Sequence, residues 1–125
     1  MQSNARLLIV DDDRQFAGEL KADAERLGLT VEVVHESTSF GPVMAQLKPD
    51  IIAMDLVMPE TDGLELLRTC ARHEYHGPLI LMSGGFELYL KMAEEIASQN
   101  GLRVVAKLVK PLRPKQFFYL LTSLI

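Results

Sequence analysis

The sequence predicts an α/β fold: a doubly wound five-stranded parallel sheet with five helices, arranged as a three-layer sandwich. Five short apolar runs rich in Val, Ile and Leu alternate with longer segments of helical periodicity. The runs lack the strict polar alternation of a sheet wetted on one face, so they suit strands buried on both faces. Parallel strands need crossovers of helical length, and the intervening segments supply them.

The expected strands are Leu7–Val10, Val31–Val34, Ile51–Met54, Leu79–Met82 and Val104–Leu108. The first helix spans Arg14–Leu27, with Phe16, Leu20, Ala24 and Leu27 on one face and Gly28 where a C-cap belongs. The second, roughly Thr38–Leu47, contains Gly41-Pro42. Proline is tolerated there only if the helix starts late, near Gly41. The third, Gly63–His73, aligns Leu64, Leu67 and Ala71, with Leu66 and Cys70 widening the stripe. The fourth, within Phe86–Asn100, repeats the spacing through Tyr89, Met92, Ala93, Ile96 and Ala97 and stops before Gly101. Pro114 stands near the start of the fifth, whose stripe is Phe117, Leu120, Leu121 and Leu124.

A chain of 125 residues, 48% hydrophobic and 24% charged, fits one globular domain over residues 1–125. Cys70 is the only cysteine, which excludes a disulfide framework and a thiolate metal cluster and suits a reducing, cytoplasmic setting. The apolar stretch Leu7–Val10 is too short for a signal peptide, and no run approaches the roughly 20 residues of a membrane helix. A net charge of −4 leaves no electrostatic footprint for direct nucleic-acid binding.

Sites in such sheets form at the carboxyl ends of the strands. There the sequence places Asp11, Asp12 and Asp13 after the first strand, and Asp55 at the end of the third. Ser83-Gly84-Gly85 follows the fourth and Lys110-Pro111 the fifth. Each piece alone also suits a structural role. An acidic run can cap a helix, as Asp13 is expected to do, and Asp62-Gly63 reads as a turn and helix start. Four pieces, each at the correct end of its own strand, point to one site. Clustered carboxylates repel unless a cation joins them, and Mg²⁺ favours a few carboxylates plus phosphate oxygens. Asp55 can then attack phosphorus, while Lys110 and the Ser83 hydroxyl take oxygens of the transferred group.

The stretch Leu8-Ile-Val-Asp-Asp-Asp13, the block Asp55-Leu-Val-Met-Pro-Glu-Thr-Asp-Gly63, the segment Leu79-Ile-Leu-Met-Ser-Gly84 and Lys110-Pro111 together resemble the signature elements of response-regulator receiver domains. The resemblance covers essentially the whole chain in order. It implies a flavodoxin-like fold and a two-component phosphorelay in which Asp55 is the phosphoacceptor. It further implies Mg²⁺ held by Asp11, Asp12, Asp55 and the Val57 backbone carbonyl, with Asp12 the more direct of the acidic pair. Ser83 becomes the switch hydroxyl and Lys110 the site lysine. The implied donors are a histidine kinase or phosphotransfer protein, or a small acyl phosphate. The implied output contact is a partner domain or second copy through the fourth and fifth helices.

The chain departs from the family pattern in three places. Lys107 stands where an aromatic usually swings inward, and burying an ammonium there carries a large desolvation cost. The segment from Ser83 to Lys110 is longer by about one helical turn. The stretch Phe86–Asn100, with the residues that follow through Leu112, resembles receivers joined to cyclic-di-GMP phosphodiesterase output domains. Val57 and Gly85 stand two residues after Asp55 and Ser83, and neither side chain can activate a water, so a long-lived phosphoaspartate is expected.

His73 and His76 read as a solvated helix end, and Cys70 as a small buried hydrophobe. Phe118, Tyr119 and Ile125 lie off or beside the last stripe, as scattered surface groups or as part of a contact. Two other readings of the chain stand beside the switch. One is a pseudo-receiver acting by contact alone, favoured only by Lys107. The other is an aspartyl-phosphate hydrolase, for which 125 residues leave no room for a substrate-covering cap. The end at Ile125, where the fifth helix should finish, fits a stand-alone receiver and an excised one equally.

Overall fold

The computed structural model describes residues 4–59, 61–85 and 87–125. Five parallel strands form one sheet: β1 (Arg6–Val10), β2 (Thr30–Val34), β3 (Ile51–Asp55), β4 (Pro78–Ser83) and β5 (Arg103–Val109), in the order β2-β1-β3-β4-β5. The helices are α1 (Arg14–Arg26), α2 (Phe40–Leu47), α3 (Gly63–Arg72), α4 (Glu87–Gln99) and α5 (Gln116–Thr122).

Alternation along the strands divides the interior into two cores, because successive side chains point to opposite faces. Leu8, Val10, Ile52, Met54, Leu79 and Leu81 pack under α2, α3 and α4. Leu7, Ile9, Ile51, Ala53, Ile80 and Met82 pack under α1 and α5. The three central strands are buried on both faces as expected, whereas β2 and β5 are not. They are the sheet edges, and in β5 only Leu108 is buried.

Local chemistry explains most helix boundaries. Asp13 caps α1 by accepting from the Phe16 amide at 3.0 Å, and Asp62 caps α3 by accepting from the Leu64 amide at 2.9 Å. Gly28 and Gly101 follow α1 and α4 with φ of 85° and 76°, the left-handed turn glycine adopts without strain. A 3₁₀ turn over Ser37–Ser39 leads into α2, which starts late enough for Pro42 to fall in the first turn, where amides have no helical partner. Pro114 precedes α5, whose N-cap is Lys115.

The buried stripes of the helices are offset from those expected. In α4 the sheet takes Leu90, Ala93 and Ala97, and Met92 is 48% exposed. Ala93 and Ala97 belong to both possible faces, so periodicity alone admits either Leu90 or Met92 beside them. Phe86, where the sequence begins this segment, lies outside the described residues. In α1 and α3 the centres are Ala17–Leu20–Ala24 and Leu66–Leu67–Cys70, with Phe16, Leu27, Leu64 and Ala71 at the flanks. In α5, Phe117 and Leu121 form the centre, and Leu120 and Leu124 are half-buried.

Register decides which residues meet beyond the strand ends. Val10 pairs with both Val34 and Met54, so Asp11 and Asp55 leave β1 and β3 side by side. Ser83 pairs with Val109, which brings Lys110 beside it. A bulge in β5 is needed for this: Leu79 pairs with Val104 but Ile80 with Ala106. The extra residue reverses which face every later β5 side chain occupies. It puts Lys107 opposite Leu81, on the α4 side.

Candidate functional site

The residues at the strand ends form one compact polar cluster over the two cores. Asp11 and Ser83 are fully buried, and Asp55 is 4% exposed. The Lys110 ammonium lies 2.7 Å from Asp11 Oδ2 and 2.9 Å from Asp55 Oδ2, donating to both. The other Asp55 oxygen accepts from the Val57 amide at 2.9 Å, and the other Asp11 oxygen from the Asp13 amide at 2.9 Å. Asp12 is exposed, and among the described residues its carboxylate has no partner. One carboxylate oxygen from each of Asp11, Asp12 and Asp55 lies within 4.8 Å of the others.

Electrostatics sharpen this picture. Burial pushes the Asp11 carboxyl above its ordinary range, against the pull of Lys110 and the Asp13 amide. Burial draws the Lys110 ammonium down, but hydrogen bonds from it to Asp11 and Asp55 outweigh that and hold it above the ordinary lysine value. Both groups of the pair therefore rise. One ammonium shared between two carboxylates is itself well satisfied but leaves Asp11 short of positive charge. Three carboxylates with a charge deficit and only hard oxygen donors fit a divalent cation such as Mg²⁺, with the open Asp12 oxygens as the readiest ligands. The Ser83 hydroxyl is buried with no hydrogen-bond partner among the described residues. An orphaned buried donor of this kind suits a site that receives an oxyanion.

The six residues singled out in the sequence lie in this region. The Val57 side chain faces solvent, 46% exposed, in a short ribbon that pairs Val57–Met58 with Thr61–Asp62. Two residues per strand carry no period, so this ribbon had no sequence signal. Gly63 explains the Asp-Gly step: a Cβ there would meet the Leu56 carbonyl oxygen at 2.5 Å, immediately beyond Asp55. Two neighbours of the site escaped the sequence reading. The Phe16 ring, expected only as core, lies 4.4 Å under the Lys110 ammonium, a cation–π distance. The His35 ring reaches the backbone carbonyl of Asp11 at 3.0 Å.

Lys107 stays at the surface and pairs with Glu94 of α4 at 2.7 Å. His73 and His76 are exposed; the His73 ring bonds the Thr69 carbonyl at 2.9 Å, and neither joins a metal-ligating cluster among the described residues. Cys70 is buried, and burial pushes its thiol up to about 12, so it is an inert packing group. Among the described residues no helix is long and apolar enough to cross a membrane.

A family model described as the response regulator receiver domain matches residues 7–119. A response regulator from Colwellia psychrerythraea superposes with a TM-score of 0.78 at 34% identity, covering 98% of this chain and 97% of that one. A receiver domain protein described as CheY-like, from Methanospirillum hungatei JF-1, gives a TM-score of 0.81 at 22% identity over 97% of this chain and 93% of that one, a likeness of fold. Among curated relatives, the response regulator MprA of Mycobacterium ulcerans (strain Agy99) is 37% identical over 65 residues, 52% of this chain. That stretch spans 28% of the relative's own length.

Proposed function

The chain belongs to the response regulator receiver domain family, whose members are signalling switches, and from that premise we propose that Asp55 is its phosphoacceptor. One observation carries the assignment: Lys110 bridges two carboxylates from different strands while a third stands open beside them.

The chemistry follows from how Asp55 is held. The Val57 amide and Lys110 each hold one of its oxygens, which fixes the carboxylate before the donor arrives. A carboxylate oxygen attacks phosphorus, and the bond from phosphorus to the donor breaks. Its electron pair leaves with acetate from acetyl phosphate, or with the imidazole nitrogen of a phosphohistidine. Lys110 offsets charge on the transferring oxygens, and the Ser83 hydroxyl donates to one of them. Asp11, Asp12, Asp55 and the Val57 carbonyl would hold Mg²⁺, which supplies further positive charge there when bound. The product is an acyl phosphate on Asp55. Its added charge competes with Asp11 for Lys110 and gives Ser83 the partner it lacks. That biases a two-state equilibrium of the strand ends and of the face built from α4, β5 and α5.

On this reading residues 1–125 act as a single receiver domain. A histidine kinase or phosphotransfer protein stands upstream, and an output domain or second copy meets the α4–β5–α5 face. The resemblance carried by residues 86–112 suggests an output domain of the cyclic-di-GMP phosphodiesterase kind.

Intact mass after incubation with acetyl phosphate and Mg²⁺ tests the assignment. The native chain should gain about 80 Da, the mass of one covalently added phosphoryl group, and Asp55→Asn should gain nothing. Equal labelling of the variant would overturn the choice of Asp55. The added mass should then decay over minutes or longer, since Val57 and Gly85 offer no group to activate water. Loss within seconds would sink that part.

A further inference from the structure

We propose that His35 is a positioning residue for phosphoryl transfer, holding the Asp11–Asp12 peptide so that the Asp12 carboxylate is presented to the cation. The inference rests on the receiver reading above and adds a residue to it.

Val10 and Val34 are the last register pair of β1 and β2, so Asp11 and His35 leave the sheet as neighbours. The Asp11 amide donates to the Val34 carbonyl at 3.0 Å. The His35 Nδ1 stands 3.0 Å from the Asp11 carbonyl oxygen. A carbonyl only accepts, so Nδ1 carries the proton in either charge state of the ring. Asp11 is thus held at all four polar atoms: the amide by Val34, the carbonyl by His35, and its two carboxylate oxygens by the Asp13 amide and Lys110.

Asp12 differs in kind. Its carboxylate has no partner among the described residues, so only the backbone that carries it limits where it can reach. The Asp11 carbonyl belongs to the peptide that leads into Asp12. Holding that carbonyl fixes the peptide plane, and the peptide plane aims the Asp12 side chain. His35 is the only side chain among the described residues that bonds this carbonyl. It is half-buried and lines, together with Asp12, one surface cleft of about 400 Å³. A hydrogen bond that orients a ligand without touching the cation is known to matter, since loss of such a partner commonly weakens metal binding by about 10- to 100-fold.

Two variants test this. Asparagine carries an amide nitrogen on Cγ, where histidine carries Nδ1, so His35→Asn keeps a donor in place. His35→Leu fills similar space without one. Calorimetric titration with Mg²⁺ and labelling by acetyl phosphate should be run on the native chain and both variants. We expect His35→Leu to weaken Mg²⁺ binding by about tenfold and slow labelling in proportion at low Mg²⁺, with excess Mg²⁺ restoring the rate. His35→Asn should stay within about threefold of the native chain on both measures. Native affinity in His35→Leu, or equal losses in the two variants, would overturn the inference while leaving the phosphoacceptor reading intact. Failure of the native chain to bind Mg²⁺ or take up phosphoryl would sink that reading and this inference with it.

Discussion

Lys110 and Lys107 lie three residues apart, and each makes a 2.7 Å bond to a carboxylate, yet the two bonds belong to different physical regimes. Lys110 reaches Asp11 and Asp55 over sequence separations of 99 and 55 residues, against side chains that are 0% and 6% exposed. Lys107 reaches Glu94 where the two side chains are 38% and 40% exposed. Near water the Coulomb term is screened and ordering two long side chains offsets much of it. Over the buried strand ends, desolvation raises the stakes in both directions. Distance is the same in both; burial decides what the bond does. The site is a place where removing one partner strands another, and the α4–β5 face is a place where partners can be exchanged.

Removing the Lys110 ammonium should cost the most. Lys110→Met leaves Asp11 buried without its cation, and loss of one partner from a buried pair costs about 3 kcal/mol or more. Urea unfolding without Mg²⁺ reads it directly; a loss under about 1 kcal/mol would place the site in the surface regime instead. The pH dependence of this loss follows from the Lys110 titration. Lys110 is held above its ordinary value of 10.5 by the two carboxylates, so its stabilisation is fully present below that pH and lost as pH rises through the higher folded value. The stability gap between native chain and Lys110→Met should therefore narrow as pH rises above about 10.5. A gap unchanged at high pH would mean the loss came from packing of the lysine stem.

Gly63→Ala should have the next largest effect, and it approaches the site from the backbone. The new Cβ would stand 2.5 Å from the Leu56 carbonyl and 2.9 Å from Leu56 Cα, so the chain just after Asp55 must move. Overpacking of this kind destabilises by about 1–3 kcal/mol. Acetyl-phosphate labelling should slow as well, because the Val57 amide that holds Asp55 lies on the displaced segment. Native stability with native labelling would show that the segment yields without strain.

The sheet and the site were legible in the sequence for one reason: both follow from what stands at the carboxyl end of each apolar run. Asp11, Asp55, Ser83 and Lys110 needed only the strand order to be placed together. What escaped depended on facts no local pattern carries. Edge strands β2 and β5 read like central ones because Val-rich runs do not state their position in the sheet. The α4 stripe was offset because Ala93 and Ala97 serve two faces equally well. The β5 bulge, which sets the side on which Lys107 emerges, inserts one residue into a run of uniform Val and Ala. His35 and Phe16 touch the site through register and packing. A half-buried histidine after a strand and an aromatic in a helical stripe have commoner explanations in sequence alone.

The exposed Lys107–Glu94 pair should contribute least. A double-mutant cycle on Lys107→Gln and Glu94→Gln should return a coupling of about 0.5 kcal/mol or less, falling further in high salt. Phosphoryl uptake at Asp55 should be unchanged in all three variants, because neither residue bonds a site group among the described residues. Lys107 occupies the position from which the family's aromatic usually moves inward, yet here it is tied outward to α4. If phosphorylation shifts the α4–β5 face, it must act against a bond this weak, so the bond biases the equilibrium without locking it. A coupling above about 2 kcal/mol would place Lys107–Glu94 in the same regime as Lys110 and make it a latch that phosphorylation has to break.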